Sequence, residues 1–162
     1  SMLSTVMDAP FGKVGVRVND ALGVIELIEY LPASAEARAP VSPLAQRAVA
    51  QIARYFERAD APFDLPLDRV GTPFQRRVWQ AMCAIPSGET RTYGELAREL
   101  DGVPRAVGQA CGDNPFPIVI PCHRVVAANG LGGFNHHAGD GFYLRVKRWL
   151  LAHESAQQAL AL

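Results

Sequence analysis

Charge of one sign is the first thing this chain lacks. Its 162 residues carry 16 Lys and Arg against 16 Asp and Glu, and that balance excludes a protein that grips nucleic acid or an anionic surface mainly by long-range attraction. The balance is uneven along the chain: residues 1–70 hold 7 basic against 9 acidic groups, and residues 71–162 hold 9 against 7. Any face for a polyanion is therefore expected in the second part. Cysteine is also scarce. Cys83, Cys111 and Cys122 are three in number, widely spaced and without a Cys-x-x-Cys pair, which excludes a disulfide framework and a cysteine-rich zinc site. No apolar run approaches the roughly 18 residues of a membrane span, and the N-terminus lacks a signal-peptide pattern. The expectation is a cytoplasmic protein with no membrane partner.

What is present is an ordinary globular composition, 49% hydrophobic and 20% charged, enough for one core or two small ones. Gly12 to Val18 alternates apolar and other residues, Asn19, Asp20 and Gly23 supply turn chemistry, and Val24 to Tyr30 resumes the pattern. This predicts a β-hairpin. Leu31 to Pro43 reads as a loop. From Ser42, an N-cap, to about Arg58 the apolar residues Leu44, Ala48, Ile52, Tyr55 and Phe56 fall on one face of a helix. Phe63 to Leu67 reads as one more edge strand, confined to the edge by Pro66. Residues 2–70 thus form a small α/β scaffold domain without a candidate site.

From Gly71 to the end the reading changes to helices, a second domain over residues 71–162. Thr72 caps a helix whose core series is Phe74, Val78, Trp79 and Met82, with Cys83 packing at its end. Thr92-Tyr93-Gly94-Glu95 fits a capping box, which opens a short helix to about Leu100. Pro104 suits the first turn of the next helix, through Cys111 to a stop at Gly112. Two short helices across the Gly102 turn make a helix-turn-helix candidate. The second helix has small residues at Ala106, Gly108 and Ala110. Glycine inside a helix costs about 1 kcal/mol relative to Ala, so something approaches closely, either a neighbouring helix or an external ligand.

Ile118-Val119-Ile120 then reads as a short buried strand that Pro121 ends, presenting Cys122 at a turn. A free thiol titrates near ~8.5 and attacks electrophiles only as the thiolate, so a base that takes its proton turns a packing residue into a nucleophile. His123 is the nearest base. Further on, 127–133 is a Gly-rich loop, and Leu144 to Glu154 is a final helix with Leu144, Trp149, Leu150 and Leu151 as its apolar stripe.

Pro121-Cys122-His123-Arg124-Val125 after an apolar segment resembles the active-site signature of the O6-alkylguanine-DNA alkyltransferases, the methylated-DNA–protein-cysteine methyltransferases. The resemblance covers most of the C-terminal half and includes Leu150-Leu151-Ala152-His153-Glu154. It implies a ribonuclease-H-like N-terminal sheet and helix, followed by a mostly helical domain with a winged helix-turn-helix. It also implies direct, single-turnover repair of O6-alkylguanine, with O4-alkylthymine as a secondary candidate, by irreversible transfer of the alkyl group to Cys122. No cofactor and no metal are implied, and the protein would act as a monomer on the minor-groove side of double-stranded DNA.

Residue by residue, the resemblance makes Cys122 the acceptor, with His123 and Glu154 its relay, Tyr93 a proton donor to the base, and Asn114 a brace for the reactive segment. Arg105 would fill the gap left by a flipped nucleotide, with Ala106, Gly108 and Gln109 on the same DNA-facing helix. Phe134, Asn135 and Val125 would line the substrate pocket. The alternatives are a lesion binder of the same type without a reactive cysteine and a helix-turn-helix regulator; Cys122 argues against the first. The usual Tyr-Ser-Gly-Gly of the family gives way here to Phe134-Asn135-His136-His137 and an insertion through Tyr143. The adjacent His136 and His137, with no third ligand in the pattern, read as loop residues and not as a metal site.

Overall fold

The computed structural model describes residues 2–137 and 141–161, with side chains as far as 157. Residues 138–140, the middle of the insertion expected over Asn135 to Tyr143, lie outside the described residues. The chain divides after Arg69 into two compact units, both of mixed α/β character.

In the first unit β1 (Thr5–Ala9), β2 (Gly12–Asn19) and β3 (Val24–Leu31) form an antiparallel sheet in that order. The hairpin read from the alternation is β2–β3, with Val16 opposite Ile28 and Val14 opposite Tyr30. β1 is a strand beyond the expected hairpin; its five residues include Asp8 and Ala9, too few apolar positions for a period-2 signal. α1 (Pro43–Glu57) starts where Ser42 accepts from the Ala45 N–H, and buries Ala45, Ala48, Ile52 and Tyr55. The expected edge strand at Phe63 to Leu67 is reduced to one bridge, Leu67 beside Ile25. Ile25 donates to Pro66 O and accepts from the Asp68 N–H, and Pro66 has no N–H with which to extend the ladder.

In the second unit α2 (Pro73–Cys83) and α3 (Tyr93–Glu99) each begin with a full capping box, Thr72 with Gln75 and Thr92 with Glu95. α4 (Pro104–Gly112) follows a turn in which Asp101 takes a left-handed φ of 55°. The Trp79 indole donates to Ala110 O at 2.8 Å, tying α2 to α4. Cys83, expected to pack, is exposed: it is the last residue of α2, one past the buried Val78, Trp79 and Met82.

The segment before Cys122 departs furthest from the pattern expected of its sequence. Residues 118–120 are not a strand. Ile118 sits at a φ of +72°, a costly conformation for a β-branched residue, and the Ile120 N–H turns back to Phe116 O at 2.8 Å. Pro115, Pro117 and Pro121 remove three backbone donors, so the β-branched run signals burial here and not extension. Cys122–Arg124 is a single 3-10 turn. It leads into β5 (Val125–Val126), which pairs in parallel with β4 (Arg91–Thr92). α5 (Phe142–Ala161) closes the unit and buries Leu144, Val146, Lys147, Leu150 and Glu154. No helix among the described residues is long and apolar enough to cross a membrane.

Candidate functional site

A cavity of about 510 Å³ opens in the second unit, with Cys122 and Tyr93 inside, Arg105, Gly108 and Gln109 of α4 at its side, and residues 133–137 as its lip. Cys122 is 7% exposed. Behind it His123 is wholly buried, and its Nε2 lies 2.7 Å from Glu154 Oε2. Burial raises the cost of ionising Glu154, but the bonds from His123 and Arg124 outweigh it and hold the carboxyl well below the usual range. Burial pushes His123 down, against the pull of Glu154. The two directions agree on one state: a carboxylate accepting from a neutral imidazole whose Nε2 carries the proton. Nδ1 is then the free basic nitrogen, and it has no hydrogen-bond partner.

Burial also raises the Cys122 thiol, while the Asn114 side chain, the Lys147 charge and the backbone N–H groups of Cys122 and His123 pull it down. The resting sulfur is a thiol, poised beside donors that favour the thiolate once a base takes the proton. Cys111 shares the cavity wall, but burial pushes its thiol up to about 12, and its Sγ rests 3.5 Å from Met82 Sδ.

Asn114 is buried behind the cavity. Its Oδ1 accepts from the Phe116 N–H at 2.9 Å and its Nδ2 donates to Ile120 O at 2.9 Å. These bonds bracket the left-handed Ile118 and so hold the approach to Cys122. Tyr93 opens α3, and its hydroxyl donates to Gly133 O at 3.3 Å; burial raises this phenol, so it remains a donor.

On α4, Arg105 and Gln109 are exposed, whereas Ala106 is half-buried and does not line the cavity. A Cβ at Gly108 would meet nothing within 4 Å, so this glycine is not there for helix packing; Ala110, buried against α2, is the small residue that packs. Phe134 and Asn135 line the cavity, but Val125 does not. Its side chain is fully buried in the core, and its carbonyl accepts from the Lys147 ammonium. His136 and His137 have separate partners: His136 Nε2 is 2.9 Å from Asp113 Oδ1, and His137 stacks on Tyr143.

Two residues escaped the sequence reading. Arg124 grips both Glu154 oxygens, at 2.8 and 3.0 Å, and donates to Ile85 O at 2.6 Å. Its signal was its place beside His123 in the motif. Lys147 is fully buried, and its ammonium donates to Val125 O, Leu131 O and Gly133 O at 2.8, 2.7 and 2.9 Å. It also lies 5.8 Å from the Tyr93 ring centre and 5.5 Å from that of Phe134. Burial lowers it to about 8. It is one of only two lysines in the chain, and it stands on the apolar face of α5, a combination that sequence can reveal.

Residues 73–156 match the family model described as 6-O-methylguanine DNA methyltransferase, DNA binding domain. A methylated-DNA–protein-cysteine methyltransferase of Mycolicibacterium paratuberculosis is 49% identical over 109 residues, covering 66% of this chain and 63% of the relative. The chain therefore spans a little under two thirds of that relative's length. A probable methylated-DNA–protein-cysteine methyltransferase of Acanthamoeba polyphaga mimivirus is 35% identical over 153 residues, 92% of this chain and 94% of the relative. Among solved structures, that of Mycobacterium tuberculosis OGT in complex with DNA superimposes with a TM-score of 0.75 at 36% identity, over 94% of this chain and 92% of that one.

Proposed function

The chain belongs to the O6-methylguanine DNA methyltransferase family, and we propose that it repairs O6-alkylguanine in double-stranded DNA by moving the alkyl group once, irreversibly, onto Cys122. The observation that carries this reading is a thiol at the wall of an open cavity whose next residue is a buried imidazole paired with a carboxylate.

In the proposed reaction His123 Nδ1 takes the Cys122 proton, directly or through one bridging water, while Glu154 stabilises the imidazolium from the other side of the ring. The sulfur lone pair forms the S–C bond to the alkyl carbon in line with the breaking C–O6 bond. The electrons of that bond stay with guanine, which becomes the neutral keto base when a proton is returned to it. Tyr93, kept as a phenol, donates toward the base and eases its departure. The product thioether has no leaving group that water could displace, so each molecule acts once. O4-alkylthymine, with the same alkyl–oxygen bond, is a secondary substrate.

The reacting atom lies within the duplex, so the nucleotide must swing out into the cavity. In this reading the first unit is a ribonuclease-H-like scaffold and α3–α4 a winged helix-turn-helix, with α4 in the minor groove. Arg105 enters the vacated stack, and Ala106, the open Gly108 and the exposed Gln109 meet the groove. Phe134 and Asn135 form the lip, and the protein works as a cytoplasmic monomer. The test is incubation of the protein with a duplex carrying labelled O6-methylguanine. The label should pass to protein and stop at one per molecule; continued turnover, or no transfer, refutes the reading.

A further inference from the structure

The lip of the cavity is built around two left-handed residues. Phe134 and His137 exchange both backbone hydrogen bonds at 2.8 Å, and between them Asn135 and His136 have φ values of 51° and 63°. Positive φ at both central residues is the mark of a tight primed turn, which glycine usually serves. With His at the second position, the turn needs support from outside itself.

That support comes from the end of α4. His136 Nε2 donates to Asp113 Oδ1 at 2.9 Å. The other oxygen of Asp113 accepts from Gln75 Nε2 at 3.0 Å, and Gln75 is itself fixed in the capping box of α2. Gly112 provides the seat. Its φ is not positive and the residue after it caps the helix in the right-handed region, so its backbone does not require glycine. A Cβ there would, however, fall within 3.0 Å of three atoms of the His136 ring. The absence of a side chain at 112 is what lets the ring lie against α4. Gly112, His136 and Cys122 all face the same cavity.

We propose that His136, seated on Gly112 and tied to Asp113, clasps the lip against α4 and so limits the size of alkyl group that reaches Cys122. The inference rests on the repair reading and adds the residue that sets its selectivity. The His136 and Asp113 side chains are 46% and 45% exposed, so the clasp is weak and opens readily. A methyl group passes under the closed lip; a benzyl group requires it open.

The test is single-turnover kinetics on duplexes carrying one O6-methylguanine or one O6-benzylguanine. The proteins compared are the wild type, His136→Ala, Gly112→Ala and the double variant. Each single change should raise the benzyl-to-methyl rate ratio by about two- to fivefold, and the double variant should go no further, because both changes remove the same seated ring. If the added Cβ disturbs α4, His136→Ala alone decides. Ratios unchanged from wild type, or effects that multiply, overturn the clasp and leave repair standing. A wild-type protein that accepts neither group overturns the repair reading itself.

Discussion

The unit that ends at Arg69 and the unit that begins at Val70 handle buried polarity in opposite ways. Among the described residues, Thr5 is the buried polar side chain of the first, whereas Asn114, His123, Lys147 and Glu154 are all in the second. The first unit buries the apolar side chains of Val14, Val16, Ile25, Ile28, Ala48 and Ile52 and leaves pairs such as Arg17–Glu26 part-exposed, 29% and 30%. The second unit takes a carboxylate, an imidazole and an ammonium out of water and satisfies them with one another or with carbonyls, His123 Nδ1 alone among these groups being left open. Burying charge is tolerable only when it is paired, so such a cluster marks where stability has been given up for chemistry. All of it surrounds Cys122.

The two units should differ most at Glu154. Glu154→Ala leaves Arg124 and His123 buried without their carboxylate and should destabilise the second unit by about 3–5 kcal/mol. Glu26→Ala in the first unit should cost about 1 kcal/mol or less. Denaturant titration checks both, and because Trp79 and Trp149 are the only tryptophans, indole fluorescence reports the second unit directly. Lys147→Met should cost about 2–4 kcal/mol, since three carbonyls lose their donor, and should slow transfer because Gly133 and the lip are released; stopped-flow transfer kinetics measures the second effect.

Acid should also act on the second unit through its buried groups. Burial holds His123 below its ordinary 6.5, so the unfolded chain binds a proton that the folded site refuses. Stability of the second unit is therefore fully present above about 6.5 and is lost as pH falls below it. Glu154, held below its ordinary 4.5, adds a further loss at lower pH, again because the unfolded state takes up the proton first. Thermal melts by fluorescence from pH 8 to 4 should show this decline, and His123→Gln should remove its upper part. The smallest effect on stability is expected at exposed Arg105. Arg105→Ala should leave the melting temperature unchanged yet slow repair in duplex DNA far more than reaction with free O6-benzylguanine, because only the duplex has a stack to fill. An equal loss on both substrates would mean that Arg105 acts elsewhere.

How much of this was legible in the sequence depended on how local the cause was. The Ser42 cap and the Thr92–Glu95 box are satisfied within one helical turn, and sequence spacing captures them. Cys122 with His123, and Glu154 in its terminal motif, were legible through family resemblance, although the 31-residue separation of the bonded pair is invisible to periodicity. The strand expected at Ile118 to Ile120 was not there, because β-branched residues register burial while the prolines and Asn114 decide the backbone path. β4 and β5 are two residues each, too short for any alternation. The Lys147 contacts and the seating of His136 on Gly112 depend on how separate segments meet, and no spacing rule encodes that.

The proposed chemistry requires that one thiol be set apart from two others. After one equivalent of duplex O6-methylguanine, peptide mass mapping of Cys83, Cys111 and Cys122 should find a single methyl group, on Cys122, in every active molecule, with exposed Cys83 and buried Cys111 unmodified. A methyl group on Cys83 or Cys111, or methylguanine consumed beyond one per protein with Cys122 still free, would contradict it.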